Sequence, residues 1–485
     1  MNRGASTTQS ITSGKSMPHI SILRAIVASV AIASQLQSQS PDIAATADRY
    51  LSTRAEMGNF SGAVLIAKGG NILFRKGYGF ADVEKRIPYT ADTQHEVASI
   101  SKMFTAMAAL KLRNEGKLKL DDPICKYLDK CPDAWKPITI SHLIHHTSGI
   151  PDYEEKLEIG SEKYMAFMTR PDASRLILDS ARTQPLDFKP GEKFHYSNTA
   201  YNVLSEVIQR AAGMSFEDYV TRTLLVPARM THSGVIGGKT KPVNLANGYT
   251  HNGLPWDKML SGVALTDGHL VRVANLPLTQ PVGDGWMYST LDDLYRWSII
   301  MDGGTNLVSK AEIAEVLAPG EFGYGFGWIV DKGLGHNRYR HTGALPGYIS
   351  DFIKFPDDSV TIIVFSNMDR GRMSSVVRDL SAITLGTSFD MPVRGTVVTL
   401  TKEQMEPLVG EYTMKDGTPF SVRIEDMLVA QLKDRYTAGL IPLSATEFYM
   451  PLGDGRAIFT IDASGKASQV NMRYGGEDHI ATRNP

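Results

Sequence analysis

Ser99 is the only serine in the chain that is followed three residues later by a lysine, Lys102. A serine hydroxyl is a weak nucleophile until a nearby base takes its proton. Residues three apart on a helix share a face, so these two side chains can meet. Further along, Tyr196 and Asn198 form the only Tyr-x-Asn of the chain, which offers a second proton acceptor and an amide. These residue types predict a serine nucleophile activated by a lysine and a tyrosine.

A third element, His341-Thr342-Gly343, precedes a strand-like run. The His-x-Gly pattern also begins at His232 and at His251, but only the element at 341 lies late in the chain with paired strand signals after it. A glycine at position 343 lets the backbone of an edge strand approach a substrate. The three elements together predict an active-site serine hydrolase.

This pattern resembles the serine β-lactamase and penicillin-binding-protein family, in its class C and D-stereospecific peptidase branch. The resemblance runs from about Ala45 to about Thr387. Six further stretches carry it: Gly77-Tyr78-Gly79, Leu120-Asp121-Asp122-Pro123, Leu143 to Pro151, Pro190-Gly191-Glu192, Gly283-Asp284-Gly285 with Ser289-Thr290, and Tyr324 to Trp328. It implies an acyl-enzyme mechanism without a cofactor.

The resemblance also implies roles for single residues. Ser99 is the nucleophile, and Lys102 and Tyr196 act together on its proton, with the formal base left open between them. Asn198 binds the substrate's amide and positions Lys102. The backbone N–H groups of Ser99 and Ala344 form the oxyanion hole.

The substrate-binding strand is predicted at His341, Thr342 and Gly343. Where β-lactamases of this branch have a lysine, this chain has His341, which is at most partly charged near pH 7. A weaker charge disfavours efficient hydrolysis of β-lactams, and it predicts that a substrate carboxylate binds more tightly as the pH falls. A histidine here resembles D,D-peptidases, D-aminopeptidases and certain esterases.

The predicted function is therefore an exported serine hydrolase, a D-stereospecific peptidase or D,D-carboxypeptidase-like enzyme acting on a small molecule or peptide. A carboxylesterase or a β-lactamase with the same machinery is the alternative. An alternative of another class is a catalytically silent penicillin-binding receptor. Intact Ser99, Lys102 and Tyr196 count against that receptor, because a silent site has no need to keep all three.

Composition and the first residues bear on the compartment. The net charge of the 485 residues is −1, which gives no electrostatic case for nucleic acid or an anionic membrane as partner. An apolar run, residues 25–33, ends in Ala31-Ile32-Ala33, which is typical of a signal-peptidase site. Nine residues are too few for a membrane span, which needs about 20. We expect a signal peptide over residues 1–33, starting at Met1 or Met17, and a periplasmic or secreted protein without a membrane span after cleavage; a disordered tail is the alternative.

Cysteine and histidine usage leaves two smaller questions. Cys125 and Cys131 are the only cysteines, and in an oxidising compartment they can form a small-loop disulfide or remain two buried thiols. His142, His145 and His146 lie close together, but their spacing lacks a third-ligand partner of known pattern. We therefore expect no metal site.

The elements that position these residues predict an α+β fold. Strand signals near both ends of residues 34–390 surround a helical middle, which indicates a sheet assembled from distant segments with helices beside it. The run from Ser99 to Leu112 has apolar residues at helical spacing and predicts a central, buried helix. The resemblance implies an antiparallel sheet of five or more strands covered by helices.

A second domain is predicted at residues 396–485, after a linker at 391–395. Short strand runs with regular turn signals, such as Lys415-Asp416-Gly417 and Gly453-Asp454-Gly455, predict a small antiparallel barrel or sandwich. This stretch resembles the lipocalin-like domain that some family members carry. We expect it to be separable from the hydrolase domain near Arg394. The oligomeric state has no sequence signal.

Overall fold

The structure is a computed structural model, and it describes residues 42–158, 161–170, 172–251, 270–273, 283–303, 305–368, 373–432, 436–451 and 453–485. The predicted signal peptide lies outside the described residues. Residues 43–485 form one unit. Within the described ranges, no helix is long and apolar enough to cross a bilayer.

A six-stranded antiparallel sheet lies at the centre of the hydrolase part. Its strands, in spatial order, are Ile329–Gly333, His336–Leu345, Tyr348–Phe355, Val360–Ser366, Gly62–Lys68 and Asn71–Tyr78. Gly62 pairs with Ser366, so an early strand lies beside one of the last strands of this part of the chain. Every residue of Val360–Ser366 is buried. The predicted sheet built from distant segments is confirmed.

Helices pack on both faces of this sheet. In chain order, the α-helices of the described residues are Ile43–Glu56, Ser101–Asn114, Ile140–Ile144, Tyr153–Leu157, Glu162–Met168, Ala173–Arg182, Asn198–Ala212, Phe216–Val220, Leu291–Gly303, Lys310–Val316, Met373–Leu385 and, beside the C-terminal barrel, Lys402–Met405. One hydrophobic core joins the sheet to the helical middle. A second core joins the other face to Ile43–Glu56 and Met373–Leu385.

The helix Ser101–Asn114 is the central one. Apolar and alanine residues fill it, and nearly all of its side chains are buried. Two residues after its last residue lies Gly116, whose φ of 70° is in the left-handed region where glycine carries no steric penalty. The prediction of a buried helix from Ser99 to Leu112 is confirmed to within two residues at each end.

Three small antiparallel sheets flank the centre. They are His95–Glu96 with Met287–Ser289 and Gly234–Val235, Phe80–Asp82 with Ile87–Pro88, and Tyr249–His251 with Leu270–Arg272. In the first of them, His95 pairs with Ser289 and Glu96 with Tyr288. This sheet therefore fixes the chain just before Ser99.

The C-terminal part is a nine-stranded antiparallel sheet that curls into a nearly closed barrel. Its strands, in spatial order, are Tyr436–Gly439, Leu428–Leu432, Pro419–Ile424, Gly410–Met414, Glu477–Arg483, Ala467–Tyr474, Gly455–Ile461, Glu447–Met450 and Ile441–Pro442. It encloses its own hydrophobic core, with Tyr412 and Phe448 fully buried. The predicted antiparallel barrel is confirmed.

A buried ion pair joins this barrel to the hydrolase part. Arg54, on the helix Ile43–Glu56, has 1% of its surface exposed and contacts the carboxylate of Asp454 in a barrel turn. Tyr449 donates a hydrogen bond to the same carboxylate at 2.7 Å. A small apolar cluster beside them includes Met57 and Ile441, one from each side. The contact between the hydrolase part and the barrel thus combines a buried ion pair with a small apolar cluster.

The two cysteines form a disulfide. Cys125 and Cys131 are bonded, with their Cα atoms 5.3 Å apart. Of the two alternatives left open by the sequence, the structure has the small-loop disulfide.

Candidate active site

Ser99 lies in the middle of a short 3-10 turn, Ala98–Ile100, directly before the helix Ser101–Asn114. Ala98 has a φ of 48°, in the left-handed region that an alanine rarely adopts. The backbone N–H of Val97 donates to the carbonyl of Met287 at 2.9 Å, which connects the residue before the turn to the strand Met287–Ser289. Ser99 is partly exposed, whereas its neighbours on both sides are buried. The turn therefore presents the serine to solvent at the start of a helix.

Lys102 is fully buried next to Ser99. Its Nζ donates to Ser99 Oγ at 3.0 Å, to Asn198 Oδ1 at 2.7 Å and to the carbonyl oxygen of Asp284 at 2.6 Å. An ammonium has three N–H donors, and each has an acceptor here. The structure thus brings Lys102, Ser99 and Asn198 together as the sequence predicted.

Tyr196 completes the predicted group. Lys102 Nζ lies 4.9 Å from the centroid of its ring. Burial raises the pKa of the Tyr196 phenol, whereas the charge of Lys102 and the nearby Ser99 hydroxyl lower it. A phenol held between these groups can accept a proton from one and return it to another.

Asn198 has no free amide hydrogen in this arrangement. Its Nδ2 donates to Asp152 Oδ2 at 3.1 Å and to Glu154 Oε2 at 2.9 Å, while its Oδ1 accepts from Lys102. Asp152 also accepts the backbone N–H of Asn198 at 3.1 Å. For Asn198 to bind a substrate amide, the substrate has to replace the contact with Glu154, which is partly exposed.

Three carboxyl groups surround the single ammonium of the site. Burial raises the pKa of Asp152, and burial together with the neighbouring carboxylates raises that of Glu154 to about 8. Burial also raises the pKa of Asp284 to about 6, although Lys102 opposes the shift. Tyr153 donates to Asp284 Oδ2 at 3.0 Å. We call Asp152, Glu154 and Asp284 the acidic cluster.

Sequence reasoning missed the acidic cluster. Asp152 and Glu154 directly follow the stretch Leu143 to Pro151, and Asp284 lies in the matching stretch Gly283-Asp284-Gly285. The signal was present as one acidic residue within a matching stretch and two directly after another. Their convergence on Lys102 required the tertiary structure.

His341 is buried and bonded at both ring nitrogens. Its Nδ1 lies 2.7 Å from the carbonyl oxygen of Thr342, and its Nε2 lies 3.0 Å from the hydroxyl of Tyr324. A carbonyl only accepts, so Nδ1 carries the proton and Nε2 accepts from Tyr324. Burial and the charge of Lys102 lower the pKa of His341 to about 3. His341 stays neutral with no N–H left for a carboxylate, so the expected tightening of carboxylate binding at lower pH loses its physical basis.

The strand His336–Leu345 has an unpaired edge where the predicted substrate-binding residues lie. It pairs along its second half with Tyr348–Phe355, but its pairing with Ile329–Gly333 ends at Arg340. Gly343 faces the serine turn so closely that a Cβ would lie 2.2 Å from the carbonyl oxygen of Val97. The structure thus places this strand edge against the turn that carries Ser99.

Thr342 and Ala344 point to the opposite side of the strand and are exposed. They border a cavity of about 410 Å³ that continues along Arg338 and Arg340. Asp351 also lines it, with a pKa that burial raises to about 7. The cavity has a mixed lining of apolar and polar side chains next to the strand edge.

The three adjacent histidines each have a local partner. His142 Nδ1 accepts from the backbone N–H of Thr139 at 3.1 Å, and His145 Nδ1 lies 2.9 Å from the carbonyl oxygen of Ser141. His146 Nδ1 accepts from a backbone N–H near Tyr196. Among the residues that the structure describes, no group of three His, Cys, Asp or Glu side chains could hold a metal ion.

A model of the beta-lactamase family matches residues 47–384, which is more than half of the chain. The chain belongs to the beta-lactamase family. The match ends before the C-terminal barrel begins.

Relatives of known name extend the comparison. Penicillin-binding protein 4* of Bacillus subtilis is 28% identical over 446 residues, covering 88% of this chain and 96% of its own length. The octameric penicillin-binding protein homologue from Pyrococcus abyssi has a TM-score of 0.61 at 25% identity, covering 89% of this chain and 97% of its own. D-amino acid amidase from Ochrobactrum anthropi SV3 shares the fold, with a TM-score of 0.58 at 22% identity over 71% of this chain and 98% of its own.

Proposed function

We propose that this protein is a serine hydrolase that forms an acyl-enzyme on Ser99 and acts on D-amino-acyl amides or on peptides with a free amino terminus. The observation that carries the proposal is the contact of Lys102 Nζ with Ser99 Oγ at 3.0 Å, with Tyr196 beside both. A buried lysine and a half-buried tyrosine next to a partly exposed serine are the groups that activate such a nucleophile.

In the acylation step, the Lys102–Tyr196 pair reacts in the form that has already given up one proton, so the pair takes the proton of Ser99 while Oγ bonds to the substrate's carbonyl carbon. The backbone N–H groups of Ser99 and Ala344 stabilise the oxyanion. The carbon–nitrogen bond then breaks, and Tyr196 returns the proton to the leaving amine. Water hydrolyses the ester by the reverse proton path and restores Ser99.

The charges around the site favour a substrate with an ammonium group. The acidic cluster places three carboxyl groups around one lysine, and Glu154 is its partly exposed member. Glu154 accepts a hydrogen bond from Asn198, and Asn198 in turn accepts one from Lys102, which contacts the nucleophile. A substrate ammonium next to the scissile bond would balance this excess of acidic groups.

The neutral state of His341 disfavours two of the activities predicted from the sequence, because both depend on a substrate carboxylate. D,D-carboxypeptidase and β-lactamase substrates carry a carboxylate, and His341 offers it neither charge nor a free N–H. An ester without a carboxylate loses nothing at this position, so carboxylesterase activity is the second candidate. Similarity of fold to a D-amino acid amidase supports D-stereospecificity.

We also propose that the protein is exported to the periplasm or secreted. The small-x-small sequence at residues 31–33 is the support in the sequence. The disulfide between Cys125 and Cys131 is a second support, because disulfides persist in oxidising compartments.

Covalent labelling tests the nucleophile. A fluorophosphonate probe should add to wild-type protein and leave Ser99→Ala unlabelled, as measured by intact-mass spectrometry. Ser180→Ala, at an exposed helix position, is the matched control and should be labelled like the wild type. An adduct on Ser99→Ala would remove Ser99 from the mechanism.

A substrate panel tests the reaction. D-alanine amide, a peptide ending in D-Ala-D-Ala, a short-chain nitrophenyl ester and nitrocefin are compared side by side by kcat/KM. The proposal expects the amide to lead and nitrocefin to be poorest. A preference for the D-Ala-D-Ala peptide or for nitrocefin would contradict the assignment of the ammonium-binding site.

A further inference from the structure

We propose that His146 is a positioning residue that holds the ring of Tyr196 in place beside Ser99 and Lys102. The inference rests on the proposed function, since it assigns Tyr196 a part in proton transfer. It gives a role to a histidine that the sequence had raised only as a metal ligand.

His146 forms hydrogen bonds with the backbone on both sides of Tyr196. Its backbone carbonyl accepts from the N–H of His195 at 2.9 Å, and its Nδ1 accepts from the N–H of Ser197 at 3.0 Å. Between these two hydrogen bonds, its ring stacks on the ring of Tyr196 with centroids 4.2 Å apart and an interplanar angle of 31°. Three contacts of one buried residue therefore fix both the backbone and the ring of Tyr196.

These contacts define the tautomer of His146. A backbone N–H can only donate, so Nδ1 accepts and the proton lies on Nε2. Within the described part of the chain, Nε2 has no hydrogen-bond acceptor. The rings of Tyr201 and Tyr324 lie around it instead, with centroids 4.9 Å and 4.7 Å from that of His146. Aromatic faces accept such an N–H weakly.

A neutral imidazole suits this place because Lys102 is near. Burial, together with the positive charge of Lys102, holds the pKa of His146 well below its usual range. An uncharged ring can pack against Tyr196 without competing with Lys102 for the phenol's negative form. His146 is thus suited to orient Tyr196 and does not itself exchange protons with substrate.

The backbone of His146 suggests the variant that separates its contacts. Its φ is 56°, in the left-handed region that asparagine also tolerates. Asparagine places Oδ1 as many bonds from Cα as histidine places Nδ1, so His146→Asn can keep the acceptor for Ser197 while losing the ring. His146→Ala loses both contacts.

The experiment measures the rate of fluorophosphonate labelling, and kcat and KM for D-alanine amide, in wild type, His146→Ala and His146→Asn. We expect His146→Ala to lower the labelling rate and kcat about tenfold or more with little change in KM, and His146→Asn to recover a large part. His145→Asn is the matched control, because the His145 ring bonds Ser141 and packs edge-to-face against Phe326, with no contact to Tyr196 among the described residues. It should behave like the wild type. Wild-type rates in both His146 variants would overturn the proposal.

A double-mutant cycle shows whether His146 acts through Tyr196. In a Tyr196→Phe background, His146→Ala should slow labelling by less than twofold, because the group that it positions is already absent. Losses that multiply would show a role unrelated to Tyr196 and would overturn the proposal. Thermal unfolding shows whether each variant is folded. If the alanine variant does not fold, the labelling rates of His146→Asn with and without Tyr196→Phe decide the question.

The same cycle distinguishes the two proposals. A wild-type labelling rate in Tyr196→Phe would contradict the proposed chemistry and with it the role of His146. Slow labelling in Tyr196→Phe together with normal labelling in both His146 variants would contradict the positioning role alone. The labelling readout does not depend on which substrate the enzyme prefers.

Discussion

Glu154 is the residue that we expect to decide substrate charge, because it is the partly exposed member of the acidic cluster. At pH 8, where the carboxyl group is partly ionised, Glu154→Gln should raise KM for D-alanine amide several-fold and leave a neutral nitrophenyl ester unchanged, since only the amide carries an ammonium. The measurement is steady-state kinetics on both substrates. Glu155→Gln, at the next and exposed position, is the control. Equal losses on both substrates would show that Glu154 does not bind the ammonium.

The pH dependence follows from the raised pKa of Glu154, about 8. Below that pH the carboxyl group is mostly protonated, so its attraction for a cation appears as the pH rises through about 8. An α-amino group loses its proton at about pH 8 as well, so kcat/KM for the amide should peak in that region. The rising limb should be absent in Glu154→Gln. A wild-type profile that is flat from pH 6 to 8 would contradict this reasoning.

His341 should leave no trace in a pH profile near neutrality. Its pKa, lowered to about 3 by burial, keeps it neutral from pH 5 upwards. A charged His341 would make kcat/KM for a carboxylate-bearing substrate fall between pH 5.5 and 7.5, and His341→Gln would abolish that fall. We expect no such loss of kcat/KM in the wild type. Such a loss, present in the wild type and absent in His341→Gln, would show that the histidine is charged in the free enzyme.

At the scale of residues, the sequence identified side chains whose types and order carry a signature. Ser99, Lys102, Tyr196 and Asn198 lie within contact of one another as expected. It did not identify the internal bonding of His341, because that depends on a tyrosine 17 residues earlier. Charge state and saturation of hydrogen bonds are properties of packing, and a motif does not contain them.

At the scale of elements, the contact between the strand His336–Leu345 and the serine turn depends on Gly343. An added Cβ would lie 2.2 Å from the carbonyl oxygen of Val97 and 2.4 Å from Ser350 Oγ. Gly343→Ala should push the strand from the turn, lower stability by about 1–3 kcal/mol and slow labelling of Ser99 well beyond what stability explains. Urea unfolding and labelling rates measure the two effects.

Gly303→Ala is the matched control for this prediction. A Cβ at Gly303 would meet nothing within 4 Å, and the residue lies at the end of a helix. Stability and labelling should stay close to the wild type. Wild-type labelling in Gly343→Ala would mean that strand and turn tolerate a wider separation than the active site is expected to allow.

Elements with a strong local pattern were predictable, and their neighbours in space were less so. The helix Ser101–Asn114 and the hairpin Tyr348–Phe355 with Val360–Ser366 follow from periodicity and turn residues. The three-stranded sheet that holds the chain before Ser99 has strands of two or three residues from three distant segments. Such short strands carry no periodicity, so their pairing arises only from the tertiary fold.

At the scale of the whole molecule, the ion pair between Arg54 and Asp454 lets the barrel contribute to the stability of the hydrolase part. Asp454→Ala would leave the buried guanidinium with Asp379, 3.8 Å away, and should lower stability by about 3–5 kcal/mol. Asp426→Ala, at an exposed barrel position, is the control. Denaturant unfolding of both variants gives the comparison, and equal stabilities would show that the pair contributes nothing.

Truncation after residue 395 tests the same contact from the other side. The sequence led us to expect a separable barrel. The buried ion pair now predicts that removing the barrel lowers the stability of the hydrolase part. The truncated protein should label at Ser99 but unfold at a lower temperature, and Arg54→Leu should restore part of that loss by removing the orphaned charge. An unchanged melting temperature would support full independence.

The pairing of Gly62 with Ser366 has a consequence for the time at which the enzyme can form. The first strand has no second neighbour until more than 300 further residues have been synthesised, and contacts so distant along the chain form slowly. A nascent chain therefore lacks its central sheet for most of translation, and the export proposed above would begin from this incompletely folded chain. Catalytic competence would then be acquired late, at the destination.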